Sequence, residues 1–291
     1  MDYAAISSDL NYRQPSVKNT CVHEAAYDWI TPWSVMNSLE SLRSTSPGLD
    51  GLPFWFLKIA APFIAEPLSH LFKISLQYME VPPQWKTAVI TPVPKIAQPI
   101  APSDFRLISL TSIISRLLEK FLVRKEFYPL LAQPSLSPYM RDQFAFRPTG
   151  STTAAIIFLL HTITEMLNNS PYVHVIALDF SKAFDSLSYV ILTTKLATIN
   201  MSDNIYNWII NYLDNRGHRT RYGSEISPEQ KINASVVQGS ALGPVSFIIN
   251  ASDLHPTCSG NRMAKYADDC YLIVPSFNSH TIQSEMDHII S

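Results

Sequence analysis

An α+β fold, with a small antiparallel sheet packed on helices, is predicted by three stretches of this 291-residue chain. Tyr172 to Leu178 (YVHVIAL) is a nearly continuous apolar run rich in β-branched residues, the pattern of a buried strand. Lys265 to Val274 (KYADDCYLIV) carries apolar or aromatic residues on both sides of Asp268 and Asp269, which reads as two short strands joined at an acidic turn. Ile113, Ile114, Leu117, Leu118, Phe121 and Leu122 keep a helical stripe while Arg116, Glu119, Lys120 and Arg124 take other faces.

The remaining elements follow in order. Residues 1 to 28 show no strong periodicity, so 1–29 is expected to be a loosely ordered leader. Thr31 followed by Pro32 has the chemistry of an N-cap and first helical position, and Trp33, Met36, Leu39 and Leu42 recur every three residues, giving a short helix that ends near Arg43. SPGLDGLP, residues 46 to 53, is a turn cluster, and a second helical stretch from Phe54 to Tyr78 should break at Pro62 or Pro67. Trp85 to Lys95 is extended, with Pro92 and Pro94 suiting an edge strand, and Asp104 to Leu110 is a second extended piece. Beyond the helix that starts at Thr111, a proline-bearing loop (Gln133 to Pro138) precedes a helix over Ser151 to Leu167. Leu187 to Ile199 reads as helical, and Trp208, Ile209, Tyr212 and Leu213 mark a further helix.

Composition narrows the class. Hydrophobic residues make up 46% of the chain and charged residues 16%, enough apolar material for one large core or two modest ones. Cys21, Cys258 and Cys270 lie far apart with no paired-cysteine spacing, so neither a disulfide framework nor a zinc site is expected. The first twenty residues lack a basic leader and an apolar stretch, and Lys58, Pro62, Glu66 and Pro67 interrupt the most apolar window. An intracellular chain that is not secreted and has no membrane span is the expectation. Net charge is −2 overall, but Lys86 to Arg147 holds nine basic residues against four acids, a net of +5 that leaves −7 for the rest. A basic lobe facing an acidic centre is the consequence.

Three acids could carry chemistry. Asp179 sits at the exit of the YVHVIAL strand, where an acid on its own is most often a helix cap. Asp268 and Asp269 sit at a hairpin tip, where an acid on its own is an ordinary turn residue. If both strands belong to one sheet and deliver their acids at the same end, three carboxylates gather within a few ångströms, and their mutual repulsion calls for cations. Magnesium suits such hard oxygen ligands, and two ions can serve an in-line phosphoryl displacement that needs no nucleophilic side chain. Between these blocks, VVQGSALGPVSFIINASDL frees the backbone at Gly239 and Gly243 and offers Pro244 for a first helical turn.

The order of these blocks resembles the reverse transcriptase domain of non-long-terminal-repeat, LINE-type retrotransposons, over roughly residues 30 to 290. SPGLDGLPFWFLK looks like the N-terminal extension of the fingers, WKTAVITPVPK and SDFRLISLTSIISRLLEK like fingers strands and the helix after them, and FAFRPTGSTTAA continues the series. ALDFSKAFDSL, VVQGSALGPVSFIINASDL and KYADDCYLIV resemble three successive palm motifs, the YADD box intact. The resemblance implies a right-hand polymerase palm and fingers, with fingers mainly in 30–150 and palm mainly in 151–291. It implies that Asp179 and Asp268 bind two Mg²⁺ ions, for which Mn²⁺ can substitute, with the backbone carbonyl of Phe180 assisting and Asp269 as third catalytic carboxylate. Lys95 and Arg106 resemble fingers cations that hold an incoming triphosphate, although a lone cation on a strand is commonly a solvated charge. Lys182, Ala183, Phe184, Gln238 and Gly239 fall at nucleotide-binding positions, and Tyr266 and Ala267 at the primer end. Phe184 matches the aromatic that rejects a 2′-hydroxyl by bulk; a plain core phenylalanine fits the sequence equally well.

The implied partners are an RNA template, a DNA primer and deoxynucleoside triphosphates, and the implied location is nucleus or cytoplasm. Leu107 and Val237 stand where the family usually has proline. The chain ends at Ser291 in what looks like the helix after the YADD hairpin, so the fourth palm motif, primer grip and thumb are expected to be missing. That motivates a second reading, a retrotransposon remnant that binds nucleic acid or a protein partner without catalysis. An RNA-dependent RNA polymerase shares the palm logic, but the bulk of Phe184 argues against ribonucleotides.

Overall fold

The computed structural model of the chain describes residues 27–290 apart from 135, 181–182, 185–186, 233 and 236–238. In chain order come helices α1 (Pro32–Glu40) and α2 (Phe54–Gln77), strands β1 (Thr87–Pro94) and β2 (Phe105–Leu110), helices α3 (Ile113–Leu122) and α4 (Thr152–Leu167), and strand β3 (Val173–Leu178). Helices α5 (Tyr189–Thr198) and α6 (Asp203–Leu213), strands β4 (Gly217–Tyr222), β5 (Glu225–Ile226) and β6 (Gln230–Lys231) and helix α7 (Leu242–Asn250) follow. Strands β7 (Arg262–Tyr266) and β8 (Asp269–Pro275) and helix α8 (Ile282–Ile290) complete the set. Nearly all of the predicted leader, Cys21 included, lies outside the described residues. Two compact units interleave in sequence: one takes residues up to Phe127 and Leu187–Gly243, the other Tyr128–Ser186 and Pro244–Ser291.

In the first unit, α1 begins as predicted. Thr31 Oγ1 accepts the Ser34 amide at 3.0 Å, Ser34 Oγ accepts the Thr31 amide at 3.0 Å, and Pro32 takes the first position, which has no amide to lose. The break expected in α2 does not occur, because the helix runs through both Pro62 and Pro67. Both prolines lie on its exposed side, together with Lys58 and Phe63, whose carbonyls lose their donors and can be hydrated there. On the opposite side the stripe Leu57, Ala61, Ala65, Leu68, Phe72 and Leu76 stays buried past both prolines. Burying a side chain of this size stabilises by about 2 kcal/mol, so the stripe outweighs two missing hydrogen bonds. Trp208 of α6 closes the layer, its indole N–H donating to Ser75 Oγ at 2.9 Å.

The sheet of this unit runs β2-β1-β4-β5, with β6 beside β4. It is mixed, since β1 is antiparallel to β2 and parallel to β4. The edge position expected for β1 holds for only part of it: Val89 and Ile90 pair on both sides, whereas Pro92 and Pro94 lie beyond the reach of β4. Proline cannot donate to a ladder, so the two prolines occupy the half that needs no second partner.

The second unit holds an antiparallel sheet in the order β3-β8-β7. Met263, Leu272 and Val274 form its core, packed against Ile176, Leu178, Ile282 and Met286. β3 was expected to be fully buried and is not: it is an edge strand, and Val175 is 42% exposed because only one face rests on that core. Helix α8 is tied down through Glu285, a carboxylate with no exposed surface that accepts from the Thr257 and Cys258 amides, the Thr257 hydroxyl and the Asn261 amide group. Burial pushes this carboxyl up, but the four donors outweigh it and hold the group below the usual glutamate value of 4.5. A carboxyl depressed on folding contributes stability that is fully present above its unfolded value and lost as pH falls through its folded value. Thermal melts should therefore show the midpoint falling as pH drops below about 4.5. Glu285→Gln should melt lower at neutral pH, by roughly 2 kcal/mol of stability, and follow a flatter acid limb. An acid limb as steep as the parent's would show that other groups set it.

Candidate active site

The antiparallel register decides where the acids fall. Leu178 pairs with Cys270 and Tyr266 with Asp269, so Asp179 follows one rung on, level with Asp269, and Ala267 and Asp268 form a two-residue turn. All three acids therefore emerge at one end of the β3-β8-β7 sheet. Asp179 and Asp269 are exposed and Asp268 is half-buried. Cys270, adjacent to the turn, is buried, and its thiol is pushed up to about 12, first by burial and also by the negative charges of Asp142, Asp268 and Asp269, with Lys265 opposing. It is a thiol at neutral pH and supplies no nucleophile.

The donor set suits a hard divalent cation: carboxylate oxygens at one sheet end, and a Phe180 carbonyl that accepts the Ala183 amide at 3.3 Å. Among the described residues no group of three or more His, Cys, Asp or Glu is placed to share a metal ion. The backbone brings the three acids to one sheet end. Like charges repel, and convergence without a cation between them is unfavourable.

The turn is held from behind by residues that sequence reasoning missed. Ala267 has φ +58°, a left-handed conformation costing a non-glycine residue about 1 kcal/mol. Its amide donates at 3.1 Å to Oε1 of Gln143, which also accepts the Ala145 amide at 3.0 Å and is only 2% exposed. The chain around Gln143 pairs with β7 through Phe144 N–H to the Lys265 carbonyl (2.8 Å) and Lys265 N–H to the Asp142 carbonyl (2.7 Å). The Lys265 side chain, 1% exposed, places Nζ 2.8 Å from the Leu254 carbonyl, 3.3 Å from the Ala251 carbonyl and 3.1 Å from Asp142 Oδ1. The other Asp142 oxygen meets His255 Nδ1 at 2.9 Å.

Of the other predicted site residues in this unit, Phe184 lies in an aromatic cluster. It stacks on Phe247 at 4.4 Å between centroids and meets Phe146 edge-on at 6.4 Å. Ala183 and Tyr266 are described and half-buried, whereas Lys182 lies outside the described residues. In the first unit, Val93 pairs with Arg106, and the Lys95 amide donates to the Asp104 carbonyl at 2.7 Å. Residues 93 and 95 share a face of the hairpin with 104 and 106, so Lys95 and Arg106 are diagonal neighbours at its loop end. Both are exposed, and the Asp104 carboxyl beside them is held below its usual range by the Ala101 and Ile100 amides and then by Lys95. Gly239 has φ +106°, and a Cβ there would come within 2.8 Å of the Ser109 carbonyl of β2, so only glycine fits. Gln238 lies outside the described residues.

The Gln143 clamp has a measurable signature. In Gln143→Met the Ala145 and Ala267 amides lose their acceptor, and urea unfolding should show about 2 kcal/mol less stability. Hydrogen exchange at the Ala267 amide should quicken well beyond what that global loss explains. An amide still protected as in the parent would mean that the turn is held by something else.

Comparison with known proteins gives this geometry its context. Residues 93–289 match the family described as reverse transcriptase (RNA-dependent DNA polymerase). A probable RNA-directed DNA polymerase from transposon BS of Drosophila melanogaster is 28% identical over 260 residues, 85% of this chain and 28% of that protein. The corresponding X-element protein of the same fly is 28% identical over 67% of this chain and 22% of its own length. The Pol polyprotein of the type-1 retrotransposable element R2 of Popillia japonica is 24% identical over 74% of this chain and 28% of its own. The chain thus spans less than a third of each of these relatives. Apo telomerase from Candida tropicalis truncated from its C-terminal domain shares the fold, with a TM-score of 0.50, 15% identity, and coverage of 71% of this chain and 47% of that one. With the family pattern matching most of its length and retrotransposon proteins among its relatives, the chain belongs to the reverse transcriptase family, in its LINE-type branch.

Proposed function

We propose that the chain forms the polymerase centre of a LINE-type reverse transcriptase and adds deoxynucleotides to a primer 3′-end on an RNA template. The observation that carries this reading is the register that puts Asp179 level with Asp269 beside the Ala267–Asp268 turn. We assign the fingers mainly to residues 30–150 and the palm mainly to 151–291. Asp179, Asp268 and the Phe180 carbonyl would hold Mg²⁺, which supplies Lewis-acid stabilisation of charge on the attacking and leaving oxygens. Asp269 adds negative charge beside them and balances the cations. Lys95 and Arg106 meet the triphosphate as paired positive charges on one hairpin face, and Lys182, Ala183, Gln238 and Gly239 are likewise assigned to nucleotide binding. Tyr266 and Ala267 carry the primer end, where the left-handed turn keeps backbone rather than a bulky side chain against the terminal sugar. Phe184, one ring face already occupied by Phe247, is rigid enough to act as a wall against a 2′-hydroxyl.

The rival reading is a retrotransposon remnant that binds nucleic acid or a protein partner without catalysis. The two readings part on extension of a labelled DNA primer on an RNA template with Mg²⁺ or Mn²⁺. Extension by the parent, reduced about a hundredfold or more in Asp268→Asn, is the expected result; no extension by a folded parent would leave the binding-only reading. With an active parent, Phe184→Ala should lower the preference for deoxynucleotides over ribonucleotides at least about tenfold, mostly through the ribonucleotide kcat/KM. Unchanged preference would return Phe184 to a core residue.

A further inference from the structure

Helix α3 and the wider turn that continues it, Val123–Phe127, carry Arg116, Lys120 and Arg124 at intervals of four residues, which places all three on one face. Like charges at that spacing destabilise a helix, so the stripe is a cost that something else must justify. Glu119 is fully buried, accepting from Ser115 Oγ and the Ala241 amide at 2.8 Å each. Arg116 is spent locally, donating to Thr45 Oγ1 at 2.9 Å and the Ser46 carbonyl at 3.2 Å, with Asp50 as a charge neighbour. None of the ion pairs among the described residues engages Lys120, Arg124 or Arg43.

These cations border a built cleft rather than a flat face. Its volume is about 60 Å³, and Ser38, Ser41, Lys120 and Arg124 line it above a floor of Leu117 and Phe121. Partial burial and then the charges of Arg116, Arg124 and Arg43 hold the Lys120 ammonium below its usual range, the sign of a site short of negative charge. The Ser38 and Ser41 hydroxyls are spent on the Ser34 and Ser38 carbonyls, at 2.8 and 3.1 Å, so the two cations over an apolar floor are the groups left to meet an oxyanion. Successive cations four residues apart on a helix lie about 6 Å from one another along its axis, a separation that suits consecutive phosphates of one strand.

We propose that the α1–α3 cleft, through Lys120 and Arg124, binds the phosphodiester backbone of a nucleic acid without reading its sequence. The site is additional to the nucleotide and metal residues assigned above, and its occupant is named from charge complementarity within a nucleic-acid enzyme family. Its test needs no catalysis. Binding of the full chain to a labelled single-stranded RNA is followed by anisotropy across a salt series, with EDTA present and nucleotides absent. Each phosphate contact contributes about −0.7 to the slope of log K against log salt on a single strand. Lys120→Gln/Arg124→Gln, both exposed positions, should therefore show a slope shallower by about 1.4 and a Kd roughly tenfold weaker at about 0.1 M salt, with a circular dichroism melt no lower than the parent's. The parent slope in a folded double variant, or no RNA binding by the parent, would overturn the proposal. Reactivity of the Lys120 amine separates two sources of phosphate: protection by RNA but not by inorganic phosphate at the same phosphate concentration supports it, and equal protection by both would make the cleft a free-anion site. Primer extension, measured apart, decides the polymerase reading whichever way these results fall.

Discussion

The Lys265 ammonium has three oxygen partners in a place with almost no access to water, and each partner fixes a different piece of chain. Two are carbonyls just past α7, and the third is the carboxylate of Asp142, which leads into the Gln143 segment. A buried charge stripped of a partner costs several kcal/mol, so these pieces cannot drift from β7 separately. The same lysine exchanges backbone hydrogen bonds with Asp142 and Phe144, which sets Gln143 level with the turn and lets it receive the Ala267 amide. The acidic turn is thus positioned by a buried ion pair one strand residue away from it. Asp142 and Lys265 neutralise each other, so the clamp adds no net charge to the sheet end where the three acids emerge.

That neutrality matters because the acids themselves are not neutralised. Carboxylates gathered at the end of one sheet repel one another and raise the free energy of the fold. The backbone does not yield to that repulsion, being held by the β3-β8-β7 ladder and by Gln143. Rigid backbone with side chains free to swing is a workable arrangement for a cation site, since closing on a cation requires torsions rather than refolding. The strain in the left-handed Ala267 and the repulsion among the acids are both carried by a core of Met263, Leu272 and Val274 that has no part in the chemistry.

What the sequence revealed follows the range over which each interaction acts. The YADD hairpin and the strand before Asp179 were legible because apolar runs flank acids, and register then follows from pairing geometry alone. The cap at Thr31 was legible for the same local reason. Helix α2 was misread because the effect of Pro62 and Pro67 is local, whereas the buried stripe that overrides it is defined by α1 and α6. Strands β4 to β6 went unread because HRTRY offers no apolar alternation; the one available signal was the Gly223–Ser224 turn, with Gly223 at φ +59°, between paired Tyr222 and Glu225. Gln143 had no signal at all, since a single glutamine in a loop becomes a clamp only when a strand 124 residues later arrives beside it.

Charge of one sign is concentrated twice in this chain, as acids at the end of the second unit's sheet and as cations along α3 in the first. Neither concentration helps a monomer fold. In a structure stabilised only for its own sake, each would be diluted with the opposite sign, as Asp142 dilutes Lys265. The acids are useful to a cation that must then meet phosphate, and the cations are useful to phosphate directly. A substrate that is a polyanion handled through divalent metal satisfies both at once, and few other classes of ligand do. The pattern that composition hid behind a net charge of −2 is therefore the part of the sequence that speaks most directly to what the chain handles.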